Sequence, residues 1–328
     1  LICKNCNTIQ NKYLGNLNLV YKYGHNEGTG KLYKEMHNNF MKLILKNKNI
    51  KNILEVGCSI AILSDLLLKN NNNIFYTIVE PNLKCINNSR RIIFNDFIEN
   101  IEESIIKKND TLILSHVLEH FYEPKKILDK LLLNTNIKDF YLAWPDLDNY
   151  INNNIVNILT IEHIYYISTP YLENIIKSYG FSVEKKIYFK NHTIFFHFRK
   201  IGINKTKIIL KDNDNSMLLK KYIDNIKYNL KQIDNIILNN SNKKIYLWPC
   251  STHNITMLIY DKINIDKIEA FLDNSPNKIN KTIIKFNKKC LSFSDIDKNN
   301  SLVILNGGPF NKELISFCKK FSFNYHVL

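Results

Sequence analysis

The chain has 328 residues, of which 45% are hydrophobic and 12% aromatic, and its formal net charge is +15 at pH 7. This length favours two domains, the composition is sufficient for packed cores, and no apolar run approaches the roughly 20 residues that a membrane span requires. The lysines are scattered among asparagines without a stripe of aromatic residues, so the charge favours a solvated surface over a nucleic-acid interface.

The N-terminal arm, residues 1–40, contains a pair of cysteines at metal-binding spacing. Cys3 and Cys6 form a Cys-x-x-Cys motif, which can supply two thiolates to one tetrahedral zinc ion. A zinc site of this kind needs two more ligands, and the chain has no second Cys-x-x-Cys. Because the chain begins with Leu1 rather than Met, we expect residues upstream, and a second cysteine pair there would complete the site.

A glycine-rich loop lies in the same arm, at residues 21–30. Three glycines and several polar or aromatic side chains occur within these ten residues. This composition is typical of a functional loop rather than a linker. Tyr23 and His25 are the side chains of the loop that we expect to contact a substrate.

A short strand, a turn of small residues and a helix follow one another in residues 52–69. The predicted elements are a strand at 53–56, the turn Gly57-Cys58-Ser59 and an amphipathic helix at Ala61–Lys69. Such a turn lets a ligand approach the backbone, and a helix N-terminus offers unpaired N–H groups, so together they form a nucleotide cradle. Glu80 ends the next apolar run, 23 residues after Gly57, where a carboxylate would hold the hydroxyls of a ribose.

Two further motifs follow later apolar runs. Asp96 and Phe97 come after the run Ile92–Phe94. The run Thr111–Ser115 leads into the segment His116-Val117-Leu118-Glu119-His120. Four motifs thus occur in order at ordinary strand–helix spacing, which predicts an α/β fold.

The pattern Glu55-x-Gly57-x-Ser59-x-Ala61 contains one glycine and differs from the Gly-x-Gly-x-x-Gly of dinucleotide sites. It resembles the first motif of class I S-adenosylmethionine (SAM) dependent methyltransferases, acidic-x-Gly-x-Gly-x-Gly, with small residues in place of two glycines. Methyltransferases of this class also have Asp-Phe near the adenine and a Val-Leu-Glu-His segment after the fourth strand. The resemblance covers residues 40–200.

The resemblance implies a Rossmann-like, seven-stranded SAM-binding domain at residues 41–200. Two β-rich runs, Phe181–Ile187 and Thr193–Arg199, would form the antiparallel edge hairpin typical of the class. The histidines His116 and His120 would flank the donor pocket. The residues implied to hold SAM are Glu55, Gly57, Cys58, Ser59, Glu80, Pro81, Asp96, Phe97, Ser115 and His116.

Strands and helices alternate again in residues 201–328, after a polar boundary. The pattern predicts a second, smaller α/β domain with a parallel, Rossmann-like sheet, built from Lys244–Leu247, Thr252–Tyr260, Ile268–Leu272, Ser301–Leu305 and Asn311–Phe321. Residues 273–278 lie at the tip of one of its strands and are either a ligand loop or a plain turn.

This three-part plan resembles that of the C-methyltransferases that act on nucleotide-linked deoxysugars. Those enzymes have a Tyr-x-Glu-His segment followed by Tyr-Phe-Ser; here Glu162, His163 and a Tyr-x-Ser remain, while Thr160 replaces the leading tyrosine. An imidazole with a pKa near neutrality suits removal of a proton from the acceptor. We therefore expect His163 to act as the base and Glu162 to orient it or contact the acceptor, with Tyr23 and His25 on a lid.

Three functions remain open. The first is SAM-dependent C-methylation of a nucleotide-linked sugar, or a related small molecule, for surface polysaccharide or a natural product. The second keeps SAM but methylates an oxygen or nitrogen atom of a phosphorylated or nucleotide-linked acceptor. The third is a degenerate, non-catalytic Rossmann binding module. For the enzyme we expect a cytoplasmic location, a small-molecule partner, no membrane or nucleic-acid partner, and zinc as a second cofactor where the cysteine site is complete.

Overall fold

The computed structural model describes most of the chain. The described residues are 1–20, 30–83, 87–153, 162–202, 211–260 and 265–328. The loop residues Tyr23 and His25, and Thr160 of the predicted acceptor segment, lie outside them.

The chain divides into two compact units. The first comprises Leu1–Asp148 and Ile161–Ser216, and the second comprises Asn149–Thr160 and Met217–Leu328. The domain boundaries predicted after residues 40 and 200 stay predictions.

Strands and helices alternate through the first unit, as the periodicity predicts. Along residues 1–202 the elements are, in chain order, β1 (Ile9–Gln10), α1 (Leu17–Val20), α2 (Lys31–Ile44), β2 (Asn52–Val56), α3 (Ile62–Asn70), β3 (Phe75–Val79), β4 (Arg91–Phe94), α4 (Glu103–Ile106), β5 (Thr111–Ser115), α5 (Pro124–Leu132), β6 (Asp139–Pro145), α6 (Leu147–Asn152), β7 (Tyr165–Tyr166), α7 (Thr169–Ser178), β8 (Phe181–Phe189) and β9 (Thr193–Lys200).

Seven of these strands form one sheet in the order β4-β3-β2-β5-β6-β9-β8. The first five are parallel, whereas β9 is antiparallel to β6 and β8 is antiparallel to β9. The predicted Rossmann-like, seven-stranded α/β fold is confirmed, and so is the antiparallel hairpin. The strand order reverses between β2 and β5, and in open α/β sheets ligands bind beyond the strand ends at such a point.

The central strands are buried on both faces, which explains their nearly continuous apolar sequences. Every residue of β2 except the first is buried, and every residue of β5 except the last. Helix α2 instead buries one face, and its Phe40 stacks on Phe195 of β9 with ring centroids 4.9 Å apart. Loss of a buried ring of this size typically costs about 3–5 kcal/mol, so these contacts hold α2 on the sheet.

The N-terminal arm pairs with the segment that follows Glu162. Strand β1 is antiparallel to β7, with Ile9 opposite Tyr166. The side-chain amide of Asn11 donates to the carbonyl of His163 at 2.7 Å, and its backbone N–H donates to the carbonyl of Ile164 at 3.0 Å. The arm therefore fixes the path of the chain at His163.

The second unit contains a six-stranded sheet in the order β12-β13-β11-β10-β14-β15, parallel except for β12. The predicted second, smaller Rossmann-like α/β domain is confirmed. None of the helices in the described part of the chain is both long and apolar enough to cross a membrane. The elements are α8 (Asn215–Asn239), β10 (Lys244–Trp248), α9 (Thr252–Tyr260), β11 (Ile268–Leu272), β12 (Thr282–Ile283), β13 (Lys288–Leu291), β14 (Ser301–Leu305), α10 (Asn311–Lys320) and β15 (Tyr325–Val327).

The loop at the tip of β11 is closed by its own hydrogen bonds. Asp273 accepts the backbone N–H of Ser275 at 2.9 Å and the ammonium of Lys278 at 2.9 Å. Lys278 also donates to the carbonyl of Cys250, at 2.9 Å. These bonds are those of a stabilised turn, and they leave open whether the loop also meets a ligand.

One carboxyl group in the first sheet should make stability depend on pH. Glu55 is 1% exposed and accepts a hydrogen bond from the Tyr76 hydroxyl at 2.8 Å. Burial raises the pKa of its carboxyl to about 7, although the Tyr76 hydrogen bond opposes the shift. The folded protein thus binds this proton more tightly than the unfolded chain, whose glutamate pKa is about 4.3. Stability should fall as pH rises between these two values, by about 3 kcal/mol in all.

We expect Glu55→Gln to abolish that fall, because the amide does not titrate. Denaturant unfolding at pH 5, 6, 7 and 8 measures the effect as the difference between variant and wild type. Glu123→Gln, at an exposed carboxylate, is the control and should follow the wild type. Parallel curves for wild type and Glu55→Gln would show that Glu55 titrates alike in both states.

Candidate active site

The turn after β2 adopts a backbone shape that glycine favours. Gly57, Ser59 and Ala61 have φ of 73°, 55° and 60°, which places all three in the left-handed region. They occupy the three glycine positions of the motif that this turn resembles. The turn therefore keeps the shape of a glycine-rich turn although two of its residues carry side chains, each at a cost of about 1 kcal/mol.

Gly57 lies against the turn after β5. A Cβ atom at this position would lie 2.4 Å from Cγ2 of Val117, closer than side-chain atoms can approach. The backbone N–H of Gly57 also donates to the carbonyl of Val79, at the end of β3, at 2.9 Å. The absence of a side chain thus brings the turns after β2 and β5 together at the point where the strand order reverses.

Glu80 follows β3 at the same edge of the sheet. Its carboxylate accepts the backbone N–H of Ser59 at 3.1 Å and that of Asn82 at 3.2 Å. The residue is 9% exposed. The structure therefore brings Glu80 to the Gly57–Ser59 turn, as expected for the carboxylate that holds a ribose diol.

The other predicted donor-site residues differ in where their side chains lie. Glu55 is buried beside Tyr76, so its side chain does not face the turn of Gly57 and Ser59. Asp96 and Phe97 follow β4, and the Asp96 carboxylate accepts the backbone N–H of Phe97 and the side chain of Asn100, each at 2.7 Å. Cys58, Pro81, Ser115 and His116 are half-buried beyond the ends of β2, β3 and β5.

A pair of histidines lies beside the end of β5. His116 has φ 54°, its Nε2 is 3.0 Å from the hydroxyl of Thr193, and its Nδ1 is 3.4 Å from Oε1 of Glu119. His192 also contacts Thr193, through Nδ1 at 2.5 Å. Burial lowers the pKa of His116 to about 4 and that of His192 to about 3, so both rings are neutral at pH 7.

His192 and Thr193 were not anticipated from the sequence. Thr193 is the first residue of β9, and it pairs with Pro145 at the carboxyl end of β6. The start of an antiparallel strand lies at the end of its parallel neighbour, so β9 returns these side chains to the ligand edge. The predicted hairpin was the available signal, but the strand beside it was not known.

The predicted base lies at the same corner. The rings of His163 and His120 have centroids 4.9 Å apart and meet edge to face. The backbone N–H of Ile164 donates to the carbonyl of Glu119 at 2.7 Å, which ties this segment to the turn after β5. Burial lowers the pKa of His120 to about 4, so this imidazole is neutral.

The N-terminal cysteines lie next to each other. Hydrogen bonds from the backbone at Cys6 and Asn5, and from the Cys6 side chain, lower the pKa of the Cys3 thiol. The Cys6 thiol donates to the hydroxyl of Thr8 at 3.1 Å. Within the described ranges, no third histidine, cysteine or carboxylate joins them. The two thiols fit half of a tetrahedral zinc site, and zinc there stays a prediction.

A comparison with family models identifies the first unit. Residues 29–186 match the model described as a methyltransferase domain. The chain carries a SAM-dependent methyltransferase domain. The matched residues include the Gly57 turn, Glu80 and the corner at His120 and His163, so the geometry described above belongs to the donor site of a methyltransferase. The non-catalytic alternative is not supported.

Solved structures with a similar backbone include three methyltransferase-sized chains. The methyltransferase domain of bacterial CtHen1 has 16% identity, a TM-score of 0.42, and coverage of 52% of this chain and 99% of its own. The N-methyltransferase NodS from Bradyrhizobium japonicum WM9, with S-adenosyl-L-homocysteine, has 10% identity, a TM-score of 0.42, and coverage of 56% and 98%. The PH0226 protein from Pyrococcus horikoshii OT3 has 14% identity, a TM-score of 0.41, and coverage of 57% and 100%.

These likenesses are too distant to inform substrate or mechanism. The comparison with curated proteins gave no match.

The left-handed conformation of Ser59 predicts a stabilising substitution. Ser59 is exposed, so Ser59→Gly should remove the left-handed strain without losing buried area. We expect the free energy of unfolding to rise by about 0.5 kcal/mol, less than the strain because glycine is more flexible when unfolded. Ser104→Gly, at an exposed helical position, is the control and should lower the free energy of unfolding. Loss of stability in Ser59→Gly would contradict the strained turn.

The position of Glu80 predicts a loss of donor affinity. Glu80→Ala removes hydrogen bonds to a charged acceptor, worth about 1.5–3 kcal/mol each, so SAM should bind at least about tenfold more weakly. Calorimetric titration with SAM measures the affinity. Glu103→Ala, at an exposed carboxylate paired with Lys107, is the control and should leave it unchanged. Equal affinity of Glu80→Ala and wild type would refute the donor role of Glu80.

Proposed function

We propose that this methyltransferase methylates a small-molecule acceptor that must lose a proton, with a carbon atom of a nucleotide-linked sugar preferred. The observation that supports the proposal most is the position of His163. The Glu162-His163 segment, which resembles that of the sugar C-methyltransferases, is held against the turn after β5 by the Ile164–Glu119 bond of 2.7 Å. The same turn contacts Gly57 of the donor site through Val117.

This chain of contacts supports an acceptor position between the donor turn and the two histidines. When SAM is bound, it supplies the methyl group for an in-line displacement. The residues of the chain contribute position: the Gly57 turn and Glu80 hold the donor, and the corner at His120 and His163 faces the acceptor. Holding two reactants in line can contribute about 7 kcal/mol or more to lowering the barrier.

Proton removal falls to His163 in this proposal. The acceptor atom loses a proton to the imidazole as the new bond to the methyl carbon forms, and the sulfur of the donor leaves with the electron pair of the broken bond. Glu162 orients His163 or contacts the acceptor. The backbone bond from Asn11 to the His163 carbonyl fixes the residue in place. His120 is neutral because of its burial, so it does not repel a positive charge on its neighbour.

An oxygen or nitrogen acceptor is the second candidate. A base beside the donor site serves a hydroxyl as well as an acidic carbon, and the described residues at the corner include nothing specific to carbon acceptors. A phosphorylated or nucleotide-linked molecule would suit either reaction. A small-molecule partner, a cytoplasmic location and zinc on Cys3 and Cys6 also belong to this proposal.

We expect His163→Ala to lower turnover by about 10²–10⁴-fold, the usual contribution of a positioned base. SAM affinity should stay close to that of the wild type, because the donor turn does not include His163. Glu162→Gln should lose less if Glu162 orients the base, and more if it contacts the acceptor. Product formation from labelled SAM with a panel of nucleotide sugars measures turnover.

His326→Ala, at an exposed histidine of β15, is the matched control for this experiment. It should leave both turnover and SAM affinity unchanged. Wild-type turnover in His163→Ala, with an acceptor that the wild-type protein methylates, would show that another group accepts the proton. His25 of the N-terminal loop would then be the next candidate.

A further inference from the structure

One group of side chains beside the donor site has the composition of a metal site. Ligand atoms of Glu119, His120 and His163 all lie within 4.8 Å of one another. In the described part of the chain, this is the group in which at least three histidine, cysteine or carboxylate side chains converge. Three atoms bound to one transition-metal ion at about 2.1 Å lie about 3–4 Å apart, so small side-chain rotations would bring these three into range.

The carboxylate of Glu119 is the second, independent observation. Glu119 is 1% exposed, and neither of its side-chain oxygens has a hydrogen-bond partner among the described residues. A buried carboxylate without partners costs several kcal/mol, so such groups are usually paired or coordinate a metal. The His116 Nδ1 atom is 3.4 Å from Oε1 but makes no hydrogen bond to it.

We infer that Glu119, His120 and His163 bind one divalent transition-metal cation. Two imidazoles and one carboxylate suit Zn²⁺, Fe²⁺, Co²⁺ or Mn²⁺, whereas Mg²⁺ and Ca²⁺ favour sites made of oxygen ligands alone. Three protein ligands leave at least one position for water or an acceptor oxygen, as in catalytic rather than structural sites. The site would therefore face the acceptor.

The backbone holds the three ligands in place before a cation binds. Glu119 and His120 lie in a single 3-10 turn, Leu118–His120. The bond from the Ile164 N–H to the Glu119 carbonyl joins the segment of His163 to that turn. The contact of His116 with the Thr193 hydroxyl at 3.0 Å orients a further imidazole toward Glu119 from the outside. Supporting contacts of this kind commonly strengthen metal binding by about 10–100-fold.

Cation binding and proton acceptance use the same kind of nitrogen lone pair on His163. While a cation is bound, the nitrogen that faces Glu119 is a ligand and does not accept a proton. The role of His163 as a base therefore belongs to the cation-free protein. The cation site itself does not depend on which acceptor is methylated, and it can be measured without SAM or acceptor.

Titration of the chelator-treated full chain with Co²⁺ alone tests the inference, because the visible spectrum of Co²⁺ distinguishes nitrogen and oxygen ligands from thiolates. We expect one Co²⁺ per chain in a nitrogen- and oxygen-ligated site, separate from any cation on Cys3 and Cys6. Glu119→Gln and His163→Ala should each weaken this binding at least about tenfold. Unchanged SAM affinity in both variants would show that they are folded.

Glu123→Gln and His326→Ala are the matched controls, since they make the same changes at exposed positions, and they should bind Co²⁺ as the wild type does. A wild-type protein that shows no Co²⁺ spectrum, or only a thiolate spectrum, would overturn the inference. Equal Co²⁺ affinity in wild type and Glu119→Gln would overturn it as well. Neither result bears on His163→Ala turnover, so the proposed function is tested separately.

Discussion

The donor site depends on the close approach of two turns, made possible by a missing side chain. Gly57 lies so near Val117 that a single Cβ atom would overlap with it. This approach joins the turn after β2, which cradles the donor, to the turn after β5, which carries Glu119 and His120. Without it, the donor turn and the histidine corner would belong to separate loops, and the methyl group could not meet an acceptor held by the corner.

A second constraint brings in the segment of His163, which is distant in sequence. Strand β1 pairs with β7, Asn11 holds the carbonyl of His163, and Ile164 donates to Glu119. All of these are backbone or amide contacts, so they fix position without depending on the chemistry of the imidazole. The side chain of His163 is left to work as a base or as a metal ligand.

The histidines at this edge of the sheet sit in unlike surroundings. Burial keeps His116, His120 and His192 neutral at pH 7, which suits hydrogen bonding and metal binding better than charge compensation. The carboxylates also differ: Glu80 accepts two backbone N–H groups, whereas Glu119 accepts none at its side chain. Two buried glutamates in one site thus have different electrostatic needs, and only that of Glu119 calls for a cation.

The sequence by itself determined the features that depend on local periodicity and turn chemistry. The seven-stranded fold, the hairpin of β8 and β9 and the second α/β domain follow from apolar runs and their spacing. The Gly57 turn and the place of Glu80 follow from residue types at strand ends. Even the unusual Ser59 and Ala61 were readable, since small residues there keep the left-handed backbone that the motif requires.

Only the tertiary structure decided which distant side chains meet and which way they face. The sequence suggested a donor role for Glu55, but β2 is buried on both faces, so alternation could not show that its carboxyl points toward Tyr76. The meeting of His116 with Thr193, and of Glu119 with His163, depends on strand order and on the pairing of β1 with β7. Such contacts are set by long-range register, which no local pattern of residues encodes.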